Sequence, residues 1–128
     1  MRKRKRNAYR RGAAMVEMAI VLVLLLMLTL GAIEYGWLFL TMQRLTNAAR
    51  QGARVAAPLG AIDTDGEAVM RTLLAGVPTA VPYVKTSGAM VTATVTVTTS
   101  AVRLVNWDAL PAPATLQATV SMAKEGAL

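Results

Sequence analysis

The side chains able to carry chemistry are few: 7 carboxylates and 14 lysines and arginines, with no histidine and no cysteine. Five of the acids, Asp63, Asp65, Glu67, Asp108 and Glu125, fall in the polar C-terminal part; Glu17 and Glu34 interrupt apolar sequence. Without histidine or cysteine there is no thiolate or His-based nucleophile, no thiolate metal set and no disulfide framework. No nucleophile elbow or phosphate-cradling glycine loop occurs either. The spacing Asp63, Asp65, Glu67 invites a calcium loop, but that pattern needs glycine at its sixth position and glutamate at its twelfth. Counted from Asp63 these are Ala68 and Leu74. The sequence therefore predicts no enzyme, no cofactor and no metal. One chemical opportunity remains. Gly12-Ala13 is a small-residue peptide bond behind a basic run, and Glu17 follows Ala13 by four residues. Cutting that bond would free an α-amine on Ala13, of ordinary pKa about 7.7–8.0 and so largely cationic at pH 7. Glu17 lies one helical turn away from it.

The element that positions this pair is an apolar helix. From Met18 to Gln43 only Glu34 carries a charge, and as a helix that stretch is about 39 Å long. A hydrocarbon core of about 30 Å needs about 20 apolar residues, so the sequence predicts one membrane span in contact with the lipid bilayer. Arg2, Lys3, Arg4, Lys5, Arg6, Arg10 and Arg11 supply half of the 14 basic residues, and the rest of the chain is electrically balanced. The net charge of +7 thus belongs to the leader. A basic arm for nucleic acid is the rival reading, but such an arm is not followed at once by a span, and no nucleic-acid partner is expected. Beside a span, positive residues fix orientation: N-terminus cytoplasmic, C-terminal part outside, in the inner (cytoplasmic) membrane. A secretory signal has a shorter apolar region with a cleavage site after it. Here the small residues precede the apolar run, so a cut would remove the charges and leave the span.

That order of basic leader, glycine and apolar helix resembles prepilin-type leaders. The segment Arg10 to Ala57 resembles the N-terminal region of TadE-like proteins, minor pseudopilins of tight-adherence (Flp-type, type IVc) pilus systems. Its most specific parts are the leader ending in Gly12, the glutamate at the fifth position after it, and the tail NAARQGARVAA. The resemblance implies cleavage between Gly12 and Ala13 by a prepilin peptidase. It further implies partnership with other pilins or pseudopilins and the inner-membrane assembly machinery, with a role in adhesion. It also implies that Glu17 pairs with the N-terminal amine of a neighbouring subunit, which would remove two charges from lipid and set their register. Headgroup snorkelling is the plainer use of Glu17. Related sequences often carry an early proline; Val21-Leu22-Val23-Leu24 has none, and an unkinked helix is expected. The alternative function is an uncleaved, single-span anchored module whose head binds a ligand.

Glu34 is followed by Tyr35, Trp37 and Phe39, and tyrosine and tryptophan favour the membrane interface. The simplest expectation is that Glu34 reaches the outer headgroups; contact with a partner protein, shared by Tyr35 and Trp37, is the sharper one. Gly31 and Gly36 are five apart, so the four-residue spacing of a G-x-x-x-G motif is absent. Beyond the span, Leu45, Ala48, Ala49, Gly52, Val55 and Ala56 form an apolar stripe at helical period. Pro58 should stop the helix.

The predicted organisation is a leader at 1–12, a long helix at 13–57 and a small extracytoplasmic head at 58–128. Thr64-Asp65-Gly66-Glu67 has capping-box form and predicts a short helix over about 65–75. Val91, Ala93, Val95 and Val97 alternate with threonines, and Leu116, Ala118, Val120 and Met122 with polar residues. Both runs read as half-buried strands, about 90–99 and 115–123; Val102 to Trp107 is a candidate for one more. The expected fold is α+β and pilin-like: a long helix packed on a small antiparallel sheet, with a short second helix.

Overall fold

The computed structural model describes residues 3–105 and 111–126, with side chains from Gly12 onward. Arg2, Trp107, Asp108 and the side chains of Lys3, Arg4, Lys5, Arg6, Arg10 and Arg11 lie outside the described part. The fold is α+β. Helix α1 spans Lys3–Ala56 and α2 spans Asp63–Leu73. A three-stranded antiparallel sheet follows, made of β1 (Val81–Ser87), β2 (Met90–Thr98) and β3 (Thr115–Ala123), with the short helix α3 (Thr99–Val102) after β2. Helix α1 is 54 residues long and already helical within the basic leader, so no break marks Ala13. It ends two residues before Pro58, whose ring disfavours helix in the residue ahead of it. Val102 closes α3 rather than opening a strand.

The chain divides into two compact units, residues 1–35 and 36–128. The first is helix alone. In the second, the later part of α1 supplies the stripe Leu38, Leu45, Ala48, Ala49, Ala53 and Ala56 to a core with Met70, Leu74, Val84, Val91, Ala93, Val95, Val97, Val102 and Ala118. The predicted stripe is thus shifted at one position: Ala53 is buried where Val55 is only half-buried. Small residues on α1 leave its backbone open to close approach, and α2 uses this. A Cβ on Gly66 would lie 2.6 Å from the Gly52 carbonyl oxygen, and one on Gly52 would lie 2.5 Å from Met70 Cγ. The two helices therefore cross at facing glycines.

The sheet order is β1-β2-β3. Strands β1 and β2 form a hairpin in which Ser87 pairs with Met90 across Gly88-Ala89. Gly88 has φ 58°, at the position where a type II′ turn favours glycine. In β2 the four core-facing residues are all fully buried, while Thr92, Thr94 and Thr96 remain half-exposed on the other face. The longer β2–β3 connection is pinned where the Thr99 amide donates to the Ala114 carbonyl at 3.0 Å.

The acidic cluster has a use different from the expected one. Helix α2 starts at Asp63, and Ile62 at its N-cap makes no side-chain cap bond, so Thr64 and Glu67 do not form a capping box. The acids instead cover the outer edge of β1. Val84 N donates to Glu67 Oε1 at 3.2 Å. Thr86 N donates to Asp63 Oδ2 at 3.1 Å, and the Thr86 hydroxyl donates to Asp63 Oδ1. Residues 82, 84 and 86 share this outward parity, and Pro82, which has no amide hydrogen, occupies the remaining place. An edge strand is thereby closed to further pairing. The Thr86 hydroxyl first, then its amide, hold the Asp63 carboxyl below its ordinary 3.8; burial opposes them, and Lys124 adds the smallest effect, downward.

Candidate functional site

The residues singled out in the sequence fall at two levels of α1. At the first, Gly12, Ala13 and Glu17 all lie within uninterrupted helix and all are exposed. A Cβ on Gly12 would meet nothing within 4 Å, so its glycine is not required by packing. Ala13 and Glu17 differ by four positions and share a helix face. Every residue from Gly12 to Leu30 is exposed, including Met15, Leu22 and Leu25. An apolar helix exposed on all its faces has no place in water and needs lipid or other helices around it. Gly12–Ala56 contains the one stretch among the described residues that is long and apolar enough to cross a membrane.

The second level runs from Glu34 to Arg44. Glu34 is only 2% exposed. Tyr35 is exposed, whereas Trp37 is half-buried and its indole nitrogen donates to the Val102 carbonyl at 2.8 Å. That bond ties α1 to the end of α3. The Arg44 guanidinium stands over the Trp37 ring, 5.8 Å from its centroid, within the range of a cation–π contact. Trp37, Arg44, Val77, Val102 and Arg103 are among the residues lining a cavity of about 230 Å³.

The sequence reading did not mark Arg44 or Arg103 as site residues. Arg44 had a usable signal, being the first charge after Glu34 and the first basic residue beyond the apolar run. Arg103 had none, because its neighbourhood is made by the chain reversal after β2. Among the described residues no cluster of three metal-ligating side chains occurs.

Residues 12–54 match the family model described as TadE-like protein. No curated protein and no solved structure matches the chain.

Proposed function

We infer, from a chain that is TadE-like over residues 12–54, that it is a minor pseudopilin of a Flp/Tad-type pilus. In this reading it is a structural part of pilus assembly, anchored by a single span. The observation that carries the reading is a coincidence of position. The family match begins at Gly12, the residue at which the basic leader ends, and every residue from Gly12 to Leu30 is exposed. A prepilin peptidase would cut between Gly12 and Ala13, removing the leader charges and leaving the α-amine of Ala13 at the membrane edge. Glu17 of one subunit would then pair with that amine on the next. The pairing offsets the cost of a carboxylate in lipid, about 2.5–3.5 kcal/mol at the centre of a span and less near its edge. It also makes subunit register depend on one contact.

Intact-mass measurement of the protein from its own host tests this. The expected mature chain starts at Ala13, and Gly12→Leu should keep the leader. Glu17→Ala should be cut and inserted normally yet fail in pilus assembly, because breaking a partly buried ion pair costs up to about 3–5 kcal/mol. A chain that keeps its leader beside an active prepilin peptidase would remove the basis of this reading.

A further inference from the structure

The two edges of the sheet are finished differently. Along β1 the acids of α2 take the outward amides of Val84 and Thr86, and Pro82 has none to offer. Strand β3 forms the opposite edge. It runs for 9 residues, about 30 Å at 3.3 Å per residue, in register with β2 and without a bulge. Between Thr115 and Ala123 it holds no charged residue and no proline. Edges are normally blunted by shortness, lysine, proline or a bulge, and β3 has none of these.

Which of its backbone groups face outward follows from the ladder. Val84 and Thr86 point away from the sheet on β1, so Tyr83 and Lys85 bond to Thr94 and Thr92 of β2. Bonding alternates along an antiparallel strand, so Ala93 and Val95 turn to β3, where they face Val120 and Ala118. Lys124, of the same parity, donates its amide to the Ala89 carbonyl at 2.8 Å. The amides and carbonyls of Gln117, Thr119 and Ser121 therefore point outward, and among the described residues these backbone groups have no partner.

The core beside this edge is also unfinished. Leu116, Val120 and Met122 are only half-buried, packed against the core as is Met42 of α1. A further strand would match the outward groups and carry the apolar row one place on; main-chain bonds then give affinity and alternate side chains give specificity. A second copy of β3 does not suit. Antiparallel self-pairing sets a two-fold axis normal to the sheet. It turns the 36–56 part of α1, whose buried stripe lies along the sheet, end for end. The chain would enter the two heads at Gly36 from opposite directions, which spans inserted with one orientation do not allow. Parallel self-pairing would put the two apolar rows on opposite faces.

We propose that the β3 edge receives a strand from a partner protein, continuing the antiparallel ladder. The partner segment is extended and uncharged, alternately apolar and polar, with its apolar row on the α1 side. The choice of a partner over a second copy rests on the single-span reading above.

The test is hydrogen exchange on the full chain in detergent, with and without a synthetic peptide of alternating valine and threonine. The peptide matches β3 in length and carries lysines at one end for solubility. It should bind saturably to a monomeric chain and slow exchange at the amides of Gln117, Thr119 and Ser121 at least tenfold. The amides of Val84 and Thr86 should be unaffected. Two altered peptides read the two halves of the proposal: N-methylation of the threonine amides removes the donors that face β3, and serine in place of valine removes the apolar row. Each should weaken binding tenfold or more. Thr119→Pro deletes one outward amide and leaves the β2 ladder whole, and should weaken binding of the unaltered peptide tenfold at an unchanged melting temperature. The altered peptides decide the matter if that variant does not fold. Absent binding, exchange unchanged at the three amides, or undiminished binding of either altered peptide would overturn the proposal. Slow exchange at those amides in a dimeric chain without peptide would give the edge to a second copy and overturn the partner. None of these readings needs cleavage or pili, so an uncut leader would defeat the pseudopilin reading and leave the exchange results standing.

Discussion

One helix lives two different lives in this protein. From Met18 to Leu30, α1 is apolar and exposed on every face; beyond Gly36 it buries one stripe and presents Arg44, Asn47, Arg50, Gln51 and Arg54 on the other. The difference lies in side-chain size as well as polarity. The early part is made of leucine, valine, methionine and isoleucine, which fill lipid. The buried stripe of the later part is mostly alanine with Gly52, which brings a sheet and a helix up to its backbone. A helix of uniform backbone is thus given two different surroundings by its residues alone.

The same substitution at two places puts that contrast to the sharpest test. Leu45 is fully buried in the core, and Leu45→Ala should cost about 2–5 kcal/mol of head stability. Leu25, on the same helix, is 54% exposed. Leu25→Ala should leave the melting of the head unchanged, as followed by near-ultraviolet circular dichroism in detergent. Equal losses at the two positions would mean that the two parts of α1 are not distinct. A smaller effect comes from the glycine crossing. Gly66→Ala puts a methyl against the Gly52 backbone oxygen, which cannot swing aside, and should cost about 1–3 kcal/mol. Gly52→Ala meets the flexible Met70 side chain first and should cost less, so the order of the two melting temperatures checks the geometry.

The smallest effect concerns Asp63. Its carboxyl is held below 3.8 in the folded chain by Thr86. Its contribution is therefore fully present above the unfolded value and is lost as pH falls through the lower folded one. Asp63→Asn should lower head stability somewhat at neutral pH, where the contribution is present, and flatten its fall below about pH 4, so that the two proteins converge in acid. Denaturant titrations across that range read the difference, and a parallel acid profile in both proteins would show that Asp63 makes no folded-state bond.

What could be read from the sequence was whatever repeats locally. The apolar run announces its need for lipid, and the Val–Thr alternation of residues 91–98 announces one buried and one exposed face. Strand β1 offers no such signal: its buried positions hold Pro82 and Val84, while Val81, Tyr83 and Lys85 are exposed, so hydrophobicity does not alternate with burial. The acids of α2 misled for a related reason. Thr64-Asp65-Gly66-Glu67 fits a local capping pattern, yet Asp63 and Glu67 spend their oxygens on amides 23 and 17 residues away. A side chain whose partners are brought in by chain reversal is invisible to a reading of its neighbours in sequence.

The residues just after β3 have a mechanical consequence. Lys124 donates to the carbonyls of Ala56 and Ala61 at 3.2 and 3.1 Å, and Glu125 N donates to the Ala57 carbonyl at 2.9 Å. The last strand is thereby buckled to the end of the first helix. Fraying of α1 from its carboxyl end and of β3 from its last residue are thus coupled, because each must break the same bonds.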